Sequence, residues 1–224
     1  PFAQVRCTDL SLDAWTMPAA EKVRLRDAAA RILARRVIEI PDGARGAGDL
    51  ADDDRETVTL LDRLFWSELR DTVSGEMIAA VRPVGGGIKL EALEAIVAGQ
   101  GVPGASVMYI GGSITDAPAL AAVRRWGGVS LIFNGNSYAL AQAEFAAAGP
   151  DASVQARLAK AFAEGGRDGV AAAVRAWPRP KSGKRPAGRA RTRVGVVAEE
   201  RDALAEASAA MRRSVRGERV ARLG

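Results

Sequence analysis

Apolar positions change their spacing along the chain, and the changes mark its elements. Between residues 16 and 35, Val23, Ala30, Ile32 and Leu33 give a helix an apolar side, opened by Thr16-Met17-Pro18; proline suits a first helical turn. Residues 37–40 form a short apolar run, either a strand or a buried extended segment. Asp52, Asp53 and Asp54 then start a helix whose apolar face is Val58, Leu61, Leu64, Phe65, Trp66 and Leu69. Acids at a helix start cap free amides and suit the dipole, which outweighs reading the triple aspartate as a metal cluster. After Gly85-Gly86-Gly87 a helix runs through Lys89 to about Ala98. Residues 107–110 are a short apolar run stopped by Gly111 and Gly112, as in a buried parallel strand. A helix from Ala117, a second buried strand over 129–133, and helical patterns over 137–147, 151–162, 168–177 and 196–215 follow. In the last of these Val197, Leu204 and Met211 stand seven apart, two heptads, too few to define a coiled coil. Alternation of helix and strand predicts an α/β fold with a parallel sheet and right-handed crossovers.

Composition narrows the chemistry. The 224 residues contain no histidine, which excludes Ser-His and Cys-His nucleophile pairs and histidine metal sites within this chain. Cys7 is the only cysteine, so the chain has no internal disulfide, and a cytoplasmic location is expected. No stretch reaches the roughly 18 apolar residues of a membrane span, so no membrane partner is expected. The net charge of +5 is local: residues 178–193 hold seven bases and no acid, and the remainder sits at about −2. That basic stretch reads as a disordered linker. It also offers sequence-independent nucleic-acid or acidic-partner binding, though without aromatics for base stacking.

Candidate chemistry gathers where strands end. In an open α/β sheet ligands sit beyond the carboxyl ends of the strands. Gly111-Gly112-Ser113-Ile114-Thr115-Asp116 closes the first apolar run, and Asn134-Gly135-Asn136 closes the second. Taken singly, each reads as a turn, and Lys89 as a solvated charge. Together they form a pattern: a lysine at a helix start, then a strand ending Gly-x-Ser-Ile-Thr-Asp, then one ending Phe-Asn-Gly-Asn.

This pattern resembles the haloacid dehalogenase (HAD) superfamily of phosphohydrolases, and within it an archaeal branch associated with energy-converting hydrogenases. The likeness extends to Pro83-Val84-Gly85-Gly86 and to Asp54-Arg55-Glu56-Thr57, Leu61-Asp62 and Phe65-Trp66, and spans roughly residues 2–177. It implies a partial HAD-like Rossmannoid sheet with a mainly helical cap insertion and a helical C-terminal extension. The expected divisions are 1–75 (cap), 76–150 (core), 151–177 (terminal core helices), 178–193 (basic linker) and 194–224 (C-terminal helix).

The resemblance also implies a reaction, the hydrolysis of a small phosphorylated substrate through an aspartyl-phosphate with Mg²⁺. Lys89 matches the lysine that steadies nucleophile and phosphate, Asp116 a metal-site acid, and Ser113 a catalytic hydroxyl. Gly111, Thr115, Asn134 and Asn136 would line the phosphate and substrate edge. The chain departs from the pattern twice. Gly112 stands where the more direct metal-binding aspartate is usual, and no nucleophile motif of the Asp-x-Asp-x-Thr kind is present. The expectations are that the chain is the C-terminal part of a longer protein with an exposed strand edge, and that these 224 residues alone are inactive. The alternative is a catalytically inactive HAD-fold binding or scaffold protein.

Overall fold

The computed structural model describes residues 4–8, 11–41, 46–178 and 192–217, which form two compact units, 1–83 and 84–224.

The first unit is helical. α1 (Ala19–Leu33) follows Pro18, whose extended backbone feeds the first turn. α2 (Asp52–Arg63) begins at the three aspartates and runs into a π-turn at Leu64–Glu68, before α3 (Val73–Ala80). Its small core is Ala28, Leu64 and Leu69, with Leu25 and Ile32 against them. The buried side of α1 is therefore displaced from the expected one: Val23 and Leu33 are exposed, as is Trp66. Residues 37–40 are not a strand, and Val37 and Ile40 face solvent. Two buried carboxylates organise the unit. Glu21 accepts from the amides of Val73 (3.2 Å) and Ser74 (2.6 Å) and from the Ser74 hydroxyl, and so caps α3 from another helix. The hydrogen bond from the Ser74 hydroxyl holds the Glu21 carboxyl below its ordinary range. Asp54 receives Arg36 at 2.8 Å.

The second unit is a three-layer α/β arrangement. β1 (Met108–Gly111), β2 (Val129–Phe133) and β3 (Phe145–Ala148) are parallel, and β4 (Arg193–Val196) runs antiparallel to β3, in the order β1-β2-β3-β4. Among the described residues β1 pairs only with β2 and forms one margin of the sheet. Side chains alternate across the pleat. Val129, Leu131, Phe145 and Ala147 pack on Val154, Leu158, Val170 and Val174 of α7 (Ser153–Arg175). Ile132 and Ala146 face Leu120 of α5 (Ala117–Arg125), Leu140 of α6 (Ser137–Leu140) and Leu204 of α8 (Val197–Arg216). Helices on both faces leave β2 and β3 almost wholly buried, which explains their continuous apolar runs. α4 (Gly87–Gln100) packs beside α5.

Two expectations are corrected. Residues 137–147 are not one helix: α6 is a single turn, and Phe-Ala-Ala-Ala from Phe145 is β3. Alanine favours helix, but this stretch is paired on both sides and buried on both faces, and tertiary pairing overrides propensity. The expected linker boundary at 193 is also displaced, because Arg193 begins β4, a strand absent from the expectation. The two helices expected over 151–177 are the two arms of α7, separated by a non-helical break at Gly165 and Gly166, where Gly166 has φ +57°. Residues 179–191, nearly all of the basic segment, lie outside the described residues. Among the described residues no helix is long and apolar enough to cross a membrane.

Candidate functional site

The chain leaves β1 at Gly111, makes a short 3-10 turn over Ile114–Asp116, and enters α5 with Pro118 near its start. This turn folds the Asp116 side chain back on the strand end. Its Oδ2 accepts from the amides of Gly112 and Ser113, both at 2.9 Å, and from Ser113 Oγ at 3.2 Å. Its Oδ1 accepts from Lys89 Nζ at 2.7 Å and Tyr109 OH at 3.0 Å. Lys89 Nζ also donates to Thr115 Oγ1 at 3.0 Å, and the Ser113 and Thr115 hydroxyls share a 2.7 Å hydrogen bond. The Gly86 amide donates to the Thr115 carbonyl at 3.1 Å, which ties the glycine-rich start of α4 to the same turn. Lys89, in the first turn of α4, is thereby aimed at Asp116.

The electrostatics follow from this geometry. Burial alone would raise the Asp116 pKa; the Gly112 amide, Lys89, the Ser113 amide and Tyr109 outweigh it and bring it down to about 2. Burial pushes the Tyr109 phenol up, and the Asp116 charge and hydrogen bond push it further. Asp116 is 7% exposed, whereas the Lys89 side chain is 26% exposed.

The two glycines make the close approach possible. A Cβ on Gly111 would lie 2.6 Å from Asp116 Cβ, and one on Gly112 would lie 2.9 Å from the Phe133 carbonyl oxygen. Gly111 thus leaves room for the carboxylate, and Gly112 lets the turn pass against the end of β2.

The structure brings together Lys89, Gly111, Gly112, Ser113, Thr115 and Asp116. Asn136 reaches this group by its backbone, donating its amide to the Gly112 carbonyl at 3.2 Å, while its side chain caps α6 by accepting from Ala139 N. Asn134, with φ 49°, has its side-chain amide paired with the backbone of Gly149 in both directions, at 2.7 and 3.0 Å. Both asparagine side chains therefore hold loops at the end of β2. Two further residues contribute to the site. Tyr109 signals itself only as a polar-tipped residue in a buried strand, a kind that usually finds a partner. Arg212 of α8 donates to the Gly135 carbonyl and, at 3.5 Å, to that of Asn134. It lies 77 residues away, with no local signal.

The residues present do not fit Mg²⁺. That ion takes hard oxygen ligands in octahedral geometry and is commonly held through one or two carboxylates. Among the described residues no group of three His, Cys, Asp or Glu could hold a metal. The one acid at this strand end has both oxygens occupied by protein donors, and position 112 contributes only backbone.

No protein-family model and no curated protein matches the chain. Among solved structures it is similar to gene product AF1437 from Archaeoglobus fulgidus, with 23% identity and a TM-score of 0.64. The alignment covers 94% of this chain and 56% of that one, so the chain spans little more than half of that protein's length. At this identity the likeness shows a shared fold.

Proposed function

We propose that the chain is a HAD-like phosphate-monoester module whose own residues bind a phosphoryl group without hydrolysing it. The observation that carries this reading is the Lys89–Asp116 pair at the carboxyl end of β1. An ammonium has three N–H donors, and those of Lys89 serve Asp116 and Thr115, with the side chain partly open. The third is left for an anionic oxygen, beside the glycine-rich start of α4, where amides favour anions. Asp116 then acts as the anchor that holds the ammonium in place. Ser113 and Thr115 hold Asp116 and Lys89 in turn.

Hydrolysis through an aspartyl-phosphate needs a carboxylate free to attack in line. Asp116 is not free, and Gly112 has no side chain. In this reading Asp116 and position 112 do not supply the Mg²⁺-dependent phosphohydrolase chemistry that the family resemblance implies. A second reading, a HAD-fold scaffold acting through partners, is favoured by Gly112, which leaves position 112 without a metal-binding acid.

The test is p-nitrophenyl phosphate turnover, with and without Mg²⁺, together with phosphate binding followed by calorimetry. Residues 1–224 are expected to show no turnover. Lys89→Met is expected to weaken phosphate binding at this site by about tenfold or more, the scale of one charge-assisted hydrogen bond. Magnesium-dependent turnover by the native chain would overturn the reading. Phosphate binding indifferent to Lys89 would favour the scaffold.

A further inference from the structure

At the opposite end of the sheet, the structure holds a cavity. It has a volume of about 580 Å³ and is lined by Arg124, Arg167 and Arg201 around a floor that includes Ala143, Val196 and Val197. Its place in the fold follows from the register. β2 begins just after Gly127, β3 begins just after Glu144, and the antiparallel β4 ends at Val196, so the amino ends of the parallel strands meet the end of β4 here. Lys89 and Asp116 lie at the other end, a strand length or roughly 15 Å away.

The three arginines differ in their commitments. Arg167 is held by Glu144 in a two-pronged ion pair, at 2.6 and 3.0 Å, which neutralises the one acid lining the cavity. Arg124 and Arg201 have no hydrogen bond or ion pair among the described residues, and both are exposed. Arg124 lies in the last turn of α5, where a cation suits the helix dipole. Arg201 lies near the start of α8, where the dipole disfavours a cation, so local helix electrostatics do not account for it. The cavity therefore carries two uncommitted guanidiniums above a floor of small aliphatic side chains.

Guanidinium forks match the oxygens of phosphate in paired hydrogen bonds and also stack on flat rings. A volume near 580 Å³ falls within the range of small-molecule sites. We infer that this cavity is a second ligand site, one that takes a nucleotide-sized organic phosphate. Its phosphate would meet Arg124 and Arg201, and its flat apolar body would lie over Ala143, Val196 and Val197. The inference stands apart from the function proposed for Lys89.

The experiment is calorimetric titration of the whole chain with AMP and with inorganic phosphate at low salt, while the amide signals of Val197 and Ala198 are followed by NMR. The variants are Arg124→Gln, Arg201→Gln, their double, and Lys89→Met. AMP is expected to bind more tightly than phosphate and to move the Val197 and Ala198 signals. Each arginine variant should weaken AMP by about tenfold, the double variant by more, and added salt should weaken it further. Lys89→Met weakens phosphate binding at the other strand end and should leave the AMP-induced movement of the Val197 and Ala198 signals in place. Absence of AMP binding by the native chain, or AMP affinity unaltered in the double variant while its amide spectrum stays native, would overturn the site. Loss of the AMP-induced movement of the Val197 and Ala198 signals in Lys89→Met would place the ligand at the other strand end and overturn it too. Equal affinity for AMP and phosphate would overturn the role of the apolar floor.

Discussion

Asp116 and Asp54 are both buried aspartates, and they are buried in opposite ways. Asp116 has five donors on two oxygens, three of them from residues 112 and 113. Asp54 is 1% exposed, yet its Oδ1 has no hydrogen-bond partner, and its Oδ2 relies on Arg36 and a 3.4 Å contact from Glu39 N. Arg36 itself is 43% exposed. A buried carboxylate is stabilising only as far as its donors replace water. Asp116 meets that condition and cements the strand end, whereas Asp54 meets half of it, and its partner can return to solvent.

Replacing each acid separates the two cases. Asp116→Ala strands a lysine and two strand-end amides, and should cost about 3–5 kcal/mol in denaturant unfolding. A loss below about 1 kcal/mol would mean that the donors are redundant. Acid should probe the same network. The folded-state pKa of Asp116 is about 2 against an ordinary 3.8, so its stabilisation is complete above pH 4. It disappears as pH falls from about 4 to about 2, with a loss of about 2 kcal/mol. Unfolding midpoints across that window, compared with Asp116→Asn, isolate this contribution.

Gly112→Ala should cost about 1–3 kcal/mol, because its Cβ would meet the Phe133 carbonyl, a backbone atom that has little freedom to move. A neutral result would show that the turn has room for a side chain at 112. Asp54→Ala should have the smallest effect, about 1 kcal/mol, since Arg36 regains water and an unpartnered oxygen is removed. If Asp54→Ala is as damaging as Asp116→Ala, the contrast between the two acids fails.

The same contrast shows what a sequence reveals. The Asp116 turn is local: its glycines, hydroxyls and acid lie within six residues, and its geometry follows from their order. Lys89 taken singly reads as a solvated charge, and only its combination with the two strand-end motifs singled it out. Asn134 and Asn136 were located correctly at a strand end, but their partners, Gly149 and Ala139, decide their role, and one of these belongs to a loop after a strand that was read as helix. β3 escaped notice because three alanines carry no strand signature of their own. β4 is four residues long and follows a basic stretch, with pairing to β3 as its only definition. In the helical unit, Glu21 caps α3 from 52 and 53 residues away, a contact without local pattern. Residues joined by short loops were readable; those joined by the fold were not.

The central claim is that the Asp116 carboxylate is committed to protein donors and is not a free metal ligand. The most direct measurement is the ¹³C chemical shift of Asp116 Cγ, titrated through the acid range with and without millimolar Mg²⁺. The account predicts a midpoint near 2 that Mg²⁺ leaves unchanged. A midpoint near the ordinary 3.8, or one displaced by Mg²⁺, would contradict it.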